Sequence, residues 1–472
     1  MLFPTATFAL FFLVVMPLSW LTMHSPARWR LFMIAASYVF YSAWDWRFVV
    51  LLAGCTVWNQ LFAVRIWRTR DQRRRKALLV IALAGNLGVL GYFKYYGFFV
   101  DSAQGLLTRL GADATIDVRS VILPVGISFF TFMAISYVVD AYRGDFEPTT
   151  FAKFATFLSF FPHLVAGPIV RPRELVPQFD EPRDPRRVDT GRAFSLIAVG
   201  LFLKVVIANT LASGIVDEVY GAPARHSSLE VLVAVYAYAV QIYADFAGYT
   251  SIAIGVALLL GFDFPQNFNA PYAATSIQDF WRRWHMTLSR WLRDYVYIPL
   301  GGSRHGSIAT YRNLMATMLL GGLWHGAAWT FVVWGGIHGV ALCVARWRRS
   351  RPGYAPPKPT TWTTWRARIL TFHLVAIAWV FFRADSFELA REMLTGLFTR
   401  WGEPSPLVTF GVVAAIVVGL GSQLLPARIP NLLMARFSRL PVFGQATVLA
   451  FALMLTSALG PAGVAPFIYF QF

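Results

Sequence analysis

The chain has 472 residues, of which 57% are hydrophobic and only 14% are charged. A soluble protein carries about 25% charged residues, so this composition excludes an ordinary soluble enzyme. A formal net charge of +18 would suggest nucleic-acid binding in a soluble protein, but here the basic residues cluster in short loops between apolar runs. The positive-inside rule explains that clustering more simply, and no nucleic-acid partner is expected.

Apolar runs of about 18 or more residues recur along most of the chain, which is typical of membrane-spanning helices. The runs are continuous and not alternating, and this argues against a β-barrel. Three runs, at 2–23, 31–43 and 47–64, precede the strongly basic segment 65–76. Three crossings before a cytoplasmic loop place the N-terminus outside. The first run has no basic segment before it and no clear cleavage site, so it is expected to be retained as a span.

The later apolar runs predict further spans in the same integral domain. A run at 151–170 has basic residues on both sides, so we expect it to dip into the membrane and return. In all, the sequence predicts an all-α polytopic membrane protein with about eleven transmembrane helices, forming a single domain over 1–472. The other runs lie near 78–100, 121–141, 194–216, 229–260, 369–383, 407–425 and 442–470.

Residues 278–297 show the pattern of an amphipathic helix. Aromatic and leucine side chains recur on one side at helical spacing, and most of the arginines, including Arg282 and Arg283, fall on the other. Such a helix lies at a membrane surface or packs in an aromatic core. His285 lies on the apolar side of this helix. Its position is compatible with a packed interfacial histidine and with a catalytic one.

A second histidine, His325, lies within an apolar stretch that has no Lys, Arg, Asp or Glu between Arg312 and Arg346. Because basic residues flank both ends, the stretch predicts a hairpin or a bent helix pair with bends at 324–326 and 334–336. An ionisable residue inside a membrane span is a functional candidate by default. A desolvated imidazole favours its neutral form and can act as a base, whereas the alternative is a histidine bonded to a neighbouring helix. His338 has glycine neighbours, and His163 precedes a turn-rich segment; either histidine could have a structural role.

Other polar residues in apolar surroundings are few. Asp245 lies inside an apolar run, so its carboxylate needs a partner such as an arginine, or it is protonated. Asn267 and Asn269 lie in a turn-rich segment that predicts an ordered polar loop. The two cysteines, Cys55 and Cys343, and the histidine spacings suggest no metal site and no disulfide framework.

Several strings together resemble the membrane-bound O-acyltransferase family, in its bacterial polysaccharide branch. The matching strings cover roughly 90–390 and include NFNAPYAATSIQDFWRRWHMTLSRWLRDYVYIPLGG (267–302), GGLWHGAAWTFVVWGGIHG (321–339), LPVGISFFTF (123–132), HLVAGPIVRP (163–172), QIYADFAGYTSIAIG (241–255) and FFRADSF (381–387). The resemblance implies about eleven helices around a central funnel, together with re-entrant and amphipathic helices.

The resemblance also implies a function and a set of site residues. An acyl group, most simply acetyl, is expected to pass from a cytoplasmic thioester such as acetyl-CoA toward an extracellular hydroxyl of an exported polysaccharide such as alginate or cellulose. No cofactor is expected to be tightly bound. The partners expected are a periplasmic or extracellular esterase-like transferase, the polysaccharide and membrane lipids, at the bacterial inner membrane. The resemblance maps the family's two histidines to His325 and His285, which are the predicted catalytic residues. The predicted substrate-binding residues are Trp324, Asn267, Asn269, Asp245, Arg282 and Arg283. The two arginines would hold the phosphates of the donor, or instead serve membrane topology or contact lipid headgroups.

Two other functions stay open at this point. Within the same family, the chain would transfer D-alanine to teichoic acid from a carrier protein. In another class, it would be a polytopic transporter in which His325 relays protons.

Overall fold

The computed structural model describes residues 1–111, 121–356 and 358–461. The described residues are helical with connecting loops, and this confirms the all-α class. The chain divides into two compact units, 1–188 with 256–265, and 189–255 with 266–472. The single integral domain and the central funnel stay predictions.

The described residues of the first unit form six long α-helices and three short ones. The run at 151–170 is broken, since helix α7 ends at Ser159 and a single turn follows, and its predicted dip into the membrane stays a prediction. The helices are α1 (Ala6–Thr22), α2 (Pro26–Ser42), α3 (Arg47–Arg68), α4 (Gln72–Leu90), α5 (Tyr96–Arg109), α6 (Ile127–Arg143), α7 (Phe151–Ser159), α8 (Phe161–Leu164) and α9 (Pro172–Leu175).

The second unit carries all the proposed site residues. Its helices are α10 (Thr190–Leu201), α11 (Asn209–Leu211), α12 (Asp217–Gly221), α13 (Ser228–Leu259, whose last turn belongs to the first unit), α14 (Ile277–Arg283), α15 (Met286–Leu292), α16 (Gly306–His325), α17 (Trp329–Arg349), α18 (Thr361–Arg383), α19 (Phe387–Thr399), α20 (Phe410–Leu424), α21 (Arg428–Ser438) and α22 (Val442–Leu459).

Within the described residues, seven helical segments are long and apolar enough to cross a membrane. The number becomes eight if the bent pair α20 and α21, which meet at 92°, forms one span. The expected count of about eleven is therefore not confirmed. Part of the predicted last span, 442–470, lies outside the described residues.

The apolar stretch around His325 folds as a pair of helices that approach closely. The predicted bend at 324–326 is confirmed, because α16 ends at His325 and Gly326 has an extended backbone. The second predicted bend, at 334–336, is wrong, because α17 continues through it. The physical reason is packing: a Cβ on Gly335 would overlap the carbonyl oxygen of Met318 in α16. Small residues of this kind let membrane helices pack backbone to backbone.

The prediction of one amphipathic helix over 278–297 is also wrong. The segment forms two short helices, α14 and α15, separated at Trp284 and His285. His285 has a positive φ of 39°, which a continuous α-helix does not allow. This break turns the histidine away from the helical repeat that the sequence pattern suggested.

Candidate functional site

The break at His285 is held by the preceding polar loop. The side-chain oxygen of Asn267 accepts a hydrogen bond from Nδ1 of His285 at 3.1 Å, and its backbone oxygen accepts one from the Met286 N–H at 2.8 Å. Both His285 and Asn267 are buried. A non-glycine residue in the left-handed region costs of order 1–3 kcal/mol, so these bonds stabilise a conformation that the chain would not adopt alone.

The same asparagine fixes which nitrogen of His285 carries the proton. Its Oδ1 also accepts from the backbone N–H of Thr287 at 3.3 Å. A backbone N–H only donates, so the atom facing it is the oxygen, and Nδ1 of His285 must donate to that oxygen. Burial lowers the pKa of His285 to about 3, so the ring is neutral at pH 7. Its Nε2 therefore carries a free lone pair, and no described residue hydrogen-bonds to it.

His325 lies at the last position of α16, in an aromatic environment. Its side chain is buried, and its ring centroid lies 4.9 Å from Trp324, 5.0 Å from Trp334 and 5.2 Å from Phe382. Gly326 is required at the next position, because a Cβ there would overlap the ring of Phe331. The glycine therefore lets the chain turn between α16 and α17 with aromatic rings packed around the imidazole.

Trp324 connects the two candidate catalytic histidines. Its ring centroid lies 4.9 Å from that of His325 and 5.9 Å from that of His285. The structure thus brings together four residues predicted from the sequence: Asn267, His285, Trp324 and His325.

A third histidine, His338, lies in the same group of aromatic side chains. Trp334 lies 5.0 Å from His325 and 4.8 Å from His338, measured between ring centroids. Neither ring nitrogen of His338, nor the indole N–H of Trp281 or Trp334, has a hydrogen-bond partner among the described residues. Buried polar groups are normally bonded to protein or ordered water. This cluster therefore offers hydrogen bonds to a polar guest. The sequence feature that pointed to this cluster is the glycine-flanked position of His338.

Asp245 has the basic partner that its apolar surroundings require, although the partner is a lysine. Lys204 Nζ lies 2.5 Å from Asp245 Oδ1, and both side chains are buried. Lys204 belongs to a π-helical segment, Phe202–Ala208, that follows α10. Sequence reasoning missed this pairing, because π-helical turns change which residues face a neighbour. The backbones of Gly200 and Gly248 approach so closely that no side chain fits between them, and this brings the two charges within reach.

Three predicted substrate-binding residues lie apart from the histidines. Asn269 is exposed, and its backbone N–H bonds to the carbonyl oxygen of Arg283. Arg283 also pairs with Asp279 at 2.9 Å, while Arg282 is exposed. Their contacts with the donor stay predictions. The residues that the structure describes include no group of three His, Cys, Asp or Glu side chains placed to hold a metal ion.

Comparisons with known proteins decide the family. The model of the membrane-bound O-acyltransferase family matches residues 2–388. The chain belongs to this family. The match covers both histidines and all the other predicted site residues, and it confirms the resemblance found in the sequence. The chain is therefore a multi-pass membrane O-acyltransferase.

Individual relatives of this O-acyltransferase act on bacterial surface polymers, according to their names. The chain is 43% identical over 381 residues to the probable alginate O-acetylase AlgI of Azotobacter vinelandii, covering 79% of this chain and 74% of the relative. It is 36% identical over 433 residues to the peptidoglycan O-acetyltransferase of Helicobacter pylori, covering 84% and 80%. It is 29% identical to the teichoic acid D-alanyltransferase of Bacillus subtilis, over 56% of this chain and 69% of that relative.

The buried Lys204–Asp245 pair gives a prediction about stability. Lys204→Met leaves a buried carboxylate without its cation, and breaking such a pair costs about 3–5 kcal/mol. We expect the unfolding temperature of the purified protein in detergent to fall for Lys204→Met and to recover in the double variant Lys204→Met/Asp245→Leu. A double variant no more stable than the single one would contradict the pairing.

Proposed function

We propose that this O-acyltransferase moves an acetyl group from a cytoplasmic thioester, such as acetyl-CoA, for O-acetylation of an exported polysaccharide. The observation that carries the proposal is the contact of both histidines with the single ring of Trp324. Two imidazoles in a buried site supply what acyl transfer to a hydroxyl needs, namely a proton acceptor and a group that orients the hydroxyl.

In the proposed reaction, a hydroxyl oxygen attacks the thioester carbonyl carbon while His325 accepts the hydroxyl proton. The carbonyl oxygen becomes an oxyanion in the tetrahedral intermediate. When the intermediate collapses, the carbon–sulfur bond breaks, the thiolate leaves, and the proton on His325 passes to sulfur. The indole N–H of Trp334, next to His325 and without a partner among the described residues, is a hydrogen-bond donor available to a carbonyl oxygen.

His285 takes a different part in this proposal. A buried histidine beside the reacting groups can orient the hydroxyl as an acceptor or stabilise the oxyanion as a donor. Its bond to Asn267 leaves Nε2 as an acceptor. An acceptor binds a hydroxyl and not an oxyanion, so the tautomer supports the orienting role.

The donor and the partners are proposed from the basic residues of the chain. Arg282, Arg283, Arg290 and Arg293 supply cations for the donor's phosphates, and arginines are well suited to that contact. No tightly bound cofactor is needed for thioester chemistry. We place the protein in the bacterial inner membrane with its N-terminus outside, because the basic segments favour the cytoplasm. An esterase-like periplasmic or extracellular protein would then complete the transfer to the polymer.

The polymer is proposed from the relatives. Two probable alginate O-acetylases are 43% and 42% identical to the chain, so alginate or a similar exopolysaccharide such as cellulose is the first candidate. Peptidoglycan is the second, because the Helicobacter pylori relative matches over more of the chain. D-Alanyl transfer has weaker support, with 29% identity over 56% of the chain. Proton-relay transport by His325 has no supporting relative among these.

Loss of acetyl ester in cells tests the proposed function. In a deletion strain complemented with variants, we expect His325→Ala to lower base-released acetate from exopolysaccharide and peptidoglycan by about 10²–10⁴-fold, the usual contribution of a general acid or base. His285→Ala is expected to lower it as well, because the attacking hydroxyl loses the acceptor that orients it. His373→Ala is the matched control, since that histidine is exposed and bonds to Tyr236. Membrane levels of each variant are compared by immunoblot.

Each other outcome points to a different function. Unchanged acetate in a stably produced His325→Ala strain would exclude the proposed role of His325. Release of D-alanine in place of acetate would indicate teichoic acid modification. Polymer export lost without any change in ester content per polymer would favour a transporter.

The role of Asn267 gives a separate prediction. Asn267→Leu removes the acceptor that fixes the His285 tautomer, so we expect acetyl ester to fall at least about tenfold. Asn269→Leu, the same change at an exposed position two residues away, is expected to cost less. Equal losses in the two variants would contradict the tautomer argument.

A further inference from the structure

A long, mostly apolar groove lies in the second unit, and neither catalytic candidate is among the residues that line it. Helices α17 and α18 line most of it, and the segment 275–278, Leu319, Tyr354, Pro356 and Pro359 complete its walls. Its volume is about 1300 Å³. Val340 and Leu370 in its walls are 52% and 64% exposed, so the groove opens toward the surroundings of the helices.

The charge in this groove is confined to one end. Three of the lining residues are charged, and all three are arginines: Arg348, Arg349 and Arg366. They are exposed, and no described carboxylate pairs with any of them. The groove is therefore mostly apolar, and its charged side chains are all cationic and lie near the end where α17 stops.

The groove is long enough to hold the acyl chains of a lipid. Its lining runs along α17 from Val332 to Arg349, which is about 25 Å at 1.5 Å per residue. One leaflet of a bilayer has a hydrocarbon thickness of about 15 Å, half of the 30 Å core. Both α17 and α18 are candidate membrane spans. A molecule seated here would lie beside acyl chains, with its polar end at the membrane surface.

We propose that this groove binds one anionic phospholipid, with its acyl chains along α17 and α18 and its phosphate at the three arginines. Basic pockets between transmembrane helices recognise anionic headgroups in this way. An acetyl thioester fits the groove poorly, because an acetyl group has two carbons and the rest of such a donor is polar. This site goes beyond the proposed acyl transfer and does not depend on it.

Lipid retention by the purified protein tests the site. The protein in detergent is mixed with phosphatidylglycerol or phosphatidylcholine, and bound lipid is counted by native mass spectrometry. We expect wild type to retain phosphatidylglycerol about tenfold better. The variant Arg348→Gln/Arg349→Gln/Arg366→Gln is expected to lose this preference. The control Arg68→Gln/Arg70→Gln/Arg73→Gln changes the same charge at exposed arginines of the first unit and is expected to keep it within about twofold.

A second variant separates the groove from its charge. Val340→Trp fills the apolar part and leaves all three arginines in place, so it is expected to lower phosphatidylglycerol retention about tenfold. Retention equal to wild type in this variant would overturn the proposal, as would equal losses in the two arginine triples. Thermal stabilisation by acetyl-CoA alone, lost in the groove triple and kept in the control triple, would also overturn it, because the groove would then bind the acyl donor.

Discussion

The hydrogen bond between Asn267 and His285 is the constraint on which the proposed site depends. It stabilises a left-handed residue between two short helices, and it sets the tautomer of a buried imidazole. The aromatic pattern of 278–297 alone predicts one amphipathic helix in which His285 follows the helical repeat. In the structure the chain breaks at His285 instead, and its ring lies against Trp324 and presents a lone pair.

The second constraint is the exclusion of water by aromatic rings. His325 is surrounded by Trp324, Trp334 and Phe382, and the turn that places it needs Gly326. In such surroundings hydrogen bonds and charges interact more strongly than in water. Among the described residues, the indole N–H groups of Trp281 and Trp334 have no hydrogen-bond partner, and a bound substrate would supply one. Lys204 and Asp245, in contrast, form a buried ion pair, which we regard as structural.

Part of this organisation could be predicted from the sequence. Long apolar runs predicted the membrane helices, and an uncharged stretch flanked by arginines predicted the bend after Trp324. The helical periodicity of the aromatic residues gave a wrong prediction at His285. The positive φ of this residue depends on a hydrogen bond to Asn267, a loop residue that is not part of the helical pattern. A second wrong prediction concerned Gly335, where glycine serves close packing with α16 and not a bend. The lysine partner of Asp245 and the tautomer of His285 depend on three-dimensional contacts, so no sequence pattern predicts them.

The measurement that tests the central claim most directly uses everted membrane vesicles, whose cytoplasmic face is outward. Acetyl-labelled acetyl-CoA is added outside, and base-labile label is followed in the polymer inside. Acyl transfer that depends on His325 predicts label in vesicles carrying wild type or His373→Ala, and about one hundredth or less in vesicles carrying His325→Ala. Equal labelling with His325→Ala, at matched protein levels, would contradict the account.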